Sequence, residues 1–306
     1  MHSYEHLLVN RVGTSGRILE VTLNRPEVRN ALAPQTFREF LAVLQAAEPE
    51  HEIRTVLLKG AGPVFSAGHD IGSGDLSGAT YADDTRFRTA DQANRPLPTN
   101  LASALRQITD VMLYFWRYPK VTIVQTHGHC VAGGLELAMM ADLVVTADSC
   151  VFGHPAHRGV GVARNAMLLP LIMGMRKAKE LMFTGDSFTG TVAEEMGIVN
   201  YAWPEDELDT RALALAERVS NLSSDHLGLI KAAANQFYEN MGLYSSVYSS
   251  TRLDAMAQLT ESAYEWQDNL HTTDLKTALR IRDEPYGNSS TRTKDQATDD
   301  EHTPPD

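Results

Sequence analysis

VTIVQTHGHCVAGGLELAMMADLVVTA, residues 121–147, decides the fold. Its opening, VTIVQTHG (121–128), is apolar and β-branched, as a buried strand requires. LELAMMAD (135–142) then takes helical spacing, and LVVTA (143–147) returns to a short apolar run. Strand, helix, strand predicts a mostly parallel sheet with covering helices, because parallel neighbours need a crossover to join them.

Outward from this stretch the theme repeats. ILEVTL (18–23) alternates as a strand, APQTFREFLAVLQAAE (33–48) has helical periodicity, and TVLLKG (55–60) is a short apolar run. The expected class is α/β. Residues 72–98, beginning GSGDLSGATYADD, read as a long surface loop of the kind that acts as a lid. From about 176 to 282 most of the chain is helix-compatible, as in RKAKELMF (176–183) and TRALALAERVS (210–220). From Gly287 the last residues hold two basic and five acidic side chains among Ser, Thr, Gln and Pro, with nothing to build a core. The expected organisation is a core domain over 1–205, a C-terminal helical region over 206–286 and a disordered acidic tail over 287–306.

The 306 residues are 43% hydrophobic and 22% charged, which suits a globular chain with a sizeable core. Net charge is −12, which argues against a nucleic-acid or anionic-membrane partner, since either needs positive charge facing phosphate. Two cysteines, Cys130 and Cys150, are too few for a disulfide framework, and no Cys/His spacing suggests a metal site. With no visible targeting signal and no apolar run of spanning length, a soluble protein of the reducing cytoplasm is expected.

Two segments carry the candidate chemistry. In HGHCVAGGLELAMMAD (127–142), Gly133 and Gly134 allow close backbone approach to a ligand where a helix begins with free N–H groups. Glu136 falls in the first turn of that helix, so one element delivers an oxyanion donor and a carboxylate together. In FSAGHDI (65–71), the turn at Gly68 and His69 can present a second N–H donor. Each also has a structural reading: the glycine pair opens a tightly packed helix whose dipole Glu136 complements, and Asp70 caps the next element. His127 and His129 read as packing or hydrogen-bonding residues. Phe237, Tyr238, Tyr244, Tyr248, Tyr264 and Trp266 read as core and subunit interface.

Five ordered segments resemble the crotonase superfamily, the enoyl-CoA hydratase/isomerase group. They are LNRPEVRNAL (23–32), GAGPVFSAGHDI (60–71), PKVTIVQTHGHCVAGGLELAMMADLVVTAD (119–148), FGHPAHRGVG (152–161) and MRKAKELMFTGDSFTGTVAEEMGIVNYAWPEDEL (175–208). The resemblance covers about residues 4–282. It implies a spiral of ββα units with a C-terminal helical trimerisation region, assembled as a homotrimer or a dimer of trimers. It also implies an acyl-CoA substrate, with coenzyme A entering as part of the substrate and no metal or redox cofactor. The backbone N–H groups of His69 and Gly133 then form an oxyanion hole, and Glu136 acts as acid/base. Arg29, Asn30, Ala31, Ala67, Asp70 and Gly134 lie along the CoA-binding path.

One departure bears on the reaction. Hydratases of this family carry a second glutamate directly after the proline of an F-G-x-P-E motif, and here Ala156 follows Pro155. Adding water across a 2-enoyl thioester needs one group to activate water and another to handle the α-proton, and a methyl group does neither. His154, His157 and Arg158 are the candidate replacements, with Arg158 able instead to pair with Glu136 or a substrate carboxylate. The nominal activity is enoyl-CoA hydratase; isomerisation and C–C or thioester hydrolysis need one carboxylate only. A CoA-binding or assembly subunit without catalysis is the reading from another class.

Overall fold

A computed structural model describes residues 4–71 and 98–287. The expected lid (72–98, apart from Pro98) and the acidic tail (apart from Gly287) lie outside the described residues. Strands β1 (Leu7–Val12) and β2 (Ile18–Leu23) form a hairpin followed by helix α1 (Pro34–Ala47) and strand β3 (Thr55–Gly60). After helix α2 (Pro98–Arg117) come β4 (Val121–Thr126), β5 (His129–Val131), α3 (Gly133–Ala138), β6 (Leu143–Ala147) and β7 (Val151–Gly153). Then follow α4 (Leu168–Met173), α5 (Met175–Thr184), β8 (Ser187–Thr189), α6 (Gly190–Glu195), β9 (Tyr201–Trp203) and α7 (Glu205–Val219). Helices α8 (Ser224–Asn240), α9 (Leu243–Ala257), α10 (Glu261–Thr272) and α11 (Leu275–Asp283) complete the described chain.

The strands sort into two sheets. The larger runs β1-β2-β3-β4-β6-β9, antiparallel only between β1 and β2. Its middle strands are buried on both faces, as parallel strands under helices are: Thr55–Leu58 of β3 and Thr122–Thr126 of β4 are all buried. Helix α1 begins with Pro34 at a position that needs no N–H donor, and it buries Phe37, Phe40, Val43, Leu44 and Ala47. The smaller sheet is β5-β7-β8. A strand of each sheet and a helix recur as β4-β5-α3 and β6-β7-α4, the repeated unit of a crotonase spiral.

Three differences from the sequence reading have local causes. The helix expected over 135–142 starts two residues earlier, at Gly133, and ends at Ala138, because 139–142 turn to let β6 pair beside β4. The helix-compatible stretch from 176 is broken by β8 and β9, whose three residues each are too short to show periodicity. Helix α7 packs on β3, β4 and β6 through Leu208, Ala212 and Ala216, so the cover of the sheet continues past residue 205. Thr189 caps α6, accepting from Val192 N–H at 3.4 Å. No helix among the described residues is long and apolar enough to cross a membrane.

Candidate active site

The small sheet brings the two glycine segments together. Ser66 N–H donates to His129 O at 3.0 Å and Ser66 O accepts from Val131 N–H at 3.2 Å, which lays residues 64–66 along the free edge of β5. The chain then turns at Gly68, with φ +98°. A Cβ at Gly68 would stand 2.8 Å from Ala132 Cβ and 3.2 Å from Gly133 N, so only glycine lets the two backbones approach this closely. On the far side, Leu32 N–H donates to Gly68 O (2.7 Å) and Asp70 N–H to Leu32 O (3.2 Å). In a parallel pairing these flanking bonds leave the N–H of His69 itself directed away from Leu32. The first residue of α3, Gly133, likewise has no intrahelical partner for its N–H. Ala132, just before it, sits at φ +49°, a strained conformation for a residue with a Cβ, held by its N–H donating to Gly153 O at 2.9 Å.

Glu136 is 3% exposed, and both its oxygens are engaged. Oε2 accepts from Arg164 Nη1 at 2.7 Å, and Oε1 lies 3.1 Å from His154 Nε2. His69 Nε2 is 3.9 Å from Oε2 and accepts from the same Arg164 Nη1 at 2.8 Å. Its ring lies against Gly133, where a Cβ would meet it at 2.7–2.9 Å. Burial pushes the Glu136 carboxyl up, but the Arg164 guanidinium and the hydrogen bond from His154 together hold it well below the usual carboxylate range. Burial, then the Arg164 charge, lowers His69, so its imidazole is neutral.

The His157 ring lies against His154, tilted by 32° with centroids 4.3 Å apart, and its Nε2 accepts from Ala163 N–H at 3.1 Å. Burial, with His154 beside it, pushes His157 down to about 3. His154 keeps a buried Nδ1 that has no hydrogen-bond partner among the described residues. Both rings line a small cavity with Leu135, Leu169, Met182 and Phe188. Ala156 lies in the single 3-10 turn Pro155–His157.

Arg158 does not meet Glu136. Its Nη2 and Nη1 each lie 3.1 Å from a carboxylate oxygen, of Asp186 and Asp283 respectively, and Nε donates to Thr184 O, so it ties the loop to the α5–β8 link and to α11. The cation at Glu136 is Arg164, which sequence reasoning missed, as it missed Asn165, whose Nδ2 donates to Glu136 O at 2.7 Å, and Asp254 on α9, 3.6 Å from Arg164 Nη2. The available signal was Arg164-Asn165 interrupting the apolar run VGVARNAMLLPLIM (160–173), where a buried cation demands a partner.

The residues expected along a CoA path fall into two groups. Arg29, in a left-handed turn at φ +54°, and Ala67 are exposed. Asn30 is 1% exposed, with its amide given to Arg25 N–H, Ala61 O and Val64 O, so its side chain braces the turn and presents nothing to a ligand. Arg25, also unforeseen, donates to Ala31 O and pairs with Asp70 at 2.8 Å. Gly134 packs on Ser66, where a Cβ would stand 2.9 Å from Ser66 Cβ. His127 Nε2 bonds Gly62 O, in keeping with the structural role expected of it, and His129 is exposed.

Against known proteins, the family model described as enoyl-CoA hydratase/isomerase matches residues 13–265. A putative enoyl-CoA hydratase of Mycobacterium tuberculosis is 32% identical over 244 residues, 76% of this chain and 74% of that protein. A peroxisomal Delta(3,5)-Delta(2,4)-dienoyl-CoA isomerase of Arabidopsis thaliana is 28% identical over 73% of this chain and 79% of its own. The crystal structure of an enoyl-CoA hydratase from Mycobacterium smegmatis superposes with TM-score 0.83 at 29% identity, covering 93% of this chain and 95% of that one. A glycine-built meeting of two backbone N–H groups beside a buried glutamate, on this fold and with a family match over most of the length, makes the chain a member of the enoyl-CoA hydratase/isomerase family of crotonase-fold acyl-CoA enzymes.

Proposed function

We propose that the protein shifts the double bond of an enoyl-CoA thioester through an enolate, with one carboxylate carrying the proton. The N–H groups of His69 and Gly133 receive the thioester oxygen. Glu136 takes the α-proton of a 3-enoyl thioester, the C–H electron pair moves onto the carbonyl oxygen, and the two donors stabilise the charge that develops there. Collapse of the enolate with return of the proton at the γ-carbon gives the 2-enoyl product. The observation that carries this reading is that Glu136, paired with Arg164 at 2.7 Å, stands beside Gly133 and His69, while the position after Pro155 is Ala156.

Hydration is the second reading, favoured by His154. With Nε2–H donating to Glu136, its buried Nδ1 is an acceptor that can take a proton from water, the task of the absent glutamate. The exposed Arg29 and Ala67 would meet the CoA moiety, with Asn30, Ala31, Asp70 and Gly134 shaping its path. The exposed apolar residues Leu229, Ile230, Phe237 and Met241 of α8 and its C-terminus support assembly as a trimer or dimer of trimers, and the free, buried Cys130 and Cys150 support a reducing cytoplasm.

The test is incubation with 2-enoyl, 3-enoyl and 3-oxo acyl-CoA thioesters in D₂O, with products read by mass. Conversion of 3-enoyl to 2-enoyl, read by the ultraviolet absorbance of the conjugated thioester, with no gain of the mass of water, is expected. Addition of water to the 2-enoyl members selects the His154 reading. Glu136→Gln should lower turnover about 10²–10⁴-fold while CoA binding persists; unchanged turnover would refute both readings. CoA binding without turnover on any thioester would select the non-catalytic subunit.

A further inference from the structure

The charged groups of the site converge on Arg164, to which the reaction proposed above gives no part. Its side chain is 4% exposed. One nitrogen, Nη1, serves Glu136 Oε2 at 2.7 Å and His69 Nε2 at 2.8 Å, and Nη2 stands 3.6 Å from Asp254 Oδ2. Asp254 is itself tied to the Arg164 loop, since Oδ1 accepts from Val162 N–H at 2.9 Å. A Cβ at Gly161 would lie 2.6 Å from that oxygen, so glycine there is what lets α9 close on the loop. The neighbouring Asn165 holds the Glu136 carbonyl. Two successive residues therefore grip Glu136 by its carboxylate and its backbone.

We propose that Arg164, seated by Asp254, is a positioning residue for the reaction, fixing the Glu136 carboxylate and the His69 imidazole from a single guanidinium nitrogen. The inference rests on Glu136 being the proton-carrying group. Two consequences follow from the geometry. Because Nη1–H donates to His69 Nε2, the His69 proton resides on Nδ1, and the ring against Gly133 stays uncharged beside the two backbone donors. The second concerns Glu136, which faces Arg164 with Asp254 behind it, His69 from the Gly68 turn, and His154 and His157 from the 154–157 turn. Without Arg164, burial would be opposed chiefly by the bond from His154, and Asp254 would add repulsion. The carboxyl would then protonate at higher pH, and the acid limb of the rate profile would move up.

The test compares Arg164→Met, Arg164→Lys and Asp254→Asn with the unmodified protein, using the thioester on which turnover is found. Arg164→Met should lose about a hundredfold in kcat with little change in KM, since misplacing a catalytic group costs that much. Its acid limb in kcat/KM should rise by about one pH unit or more, which loss of a purely structural contact would not cause. Arg164→Lys should keep the acid limb and recover kcat only in part, since an ammonium lacks the planar fork. Asp254→Asn, which keeps an acceptor for Val162 N–H, should give a smaller loss of kcat. If Arg164→Met does not fold, Asp254→Asn and Arg164→Lys decide. A folded Arg164→Met with unaltered kcat and acid limb overturns the proposal, as does full kcat in both other variants. If Glu136→Gln is inactive in the same assay, only the role of Arg164 falls; if it is active, the reading of Glu136 falls with it.

Discussion

The site is made of two regions built on opposite principles. The strip formed by residues 64–69 and 128–134 is backbone work: glycines at 68, 133 and 134 clear the space, sheet bonds set the register, and the proposed oxygen site uses the N–H groups of His69 and Gly133. The loop from Phe152 to Asn165 is side-chain work, in which buried His154, Arg158, Arg164 and Asn165 each depend on partners far along the chain. A backbone site needs a short stretch of particular residues in particular order. A side-chain site needs only that charges meet in space, and many sequences satisfy that.

Variants can sharpen this contrast. On the backbone side, Gly133→Ala forces a methyl against the His69 ring, displacing it from Arg164 and crowding the oxygen site. We expect kcat to fall about 10²–10³-fold, ~3–4 kcal/mol; a fully active Gly133→Ala would show that turnover does not depend on the close approach of the His69 ring to Gly133. On the side-chain side, Arg158→Ala removes the cation that Asp186 and Asp283 share, with Arg282 still on Asp283, and should cost about 3 kcal/mol in urea unfolding. Turnover per folded molecule should stay unchanged, which separates Arg158 from Arg164; a large fall in kcat would mean that the loop does not keep the two arginines apart.

The smallest effect tests His157. Its folded-state value of about 3 lies below the ordinary 6.5, so as pH falls below about 6.5 the unfolded chain takes up a proton that the folded ring refuses. The stability associated with neutral His157 is therefore full above that pH and is lost progressively down to about 3. His157→Leu should flatten the decline in unfolding free energy between about pH 7 and about pH 4.5; identical slopes in both proteins would show that another group titrates there.

Much of the fold was legible because its elements carry local signals. The strands at 18–23, 55–60, 121–126 and 143–147 and the helix at 34–47 announce themselves by periodicity, and Gly68, Gly133 and Glu136 sit in ordered motifs. Strands β8 and β9 were not legible, since three residues hold no period and a sheet neighbour alone makes them strands. Arg158 and Arg164 show the same limit in the site. Both are arginines in one loop, and nothing in their spacing says which turns towards Glu136.

What the sequence determined by itself is the α/β class, the resemblance to crotonases and the backbone pocket, because hydrophobic period and glycine freedom act within a few residues. What only the tertiary structure decided is the state of the carboxylate. Glu136 is held well below the usual carboxylate range with Arg164 on one oxygen and His154 on the other, and Asp254 of α9 stands behind Arg164. The physical reason is range: backbone conformation is set by neighbours in the chain, whereas the charge on a buried group is set by whatever the fold brings within a few ångströms of it.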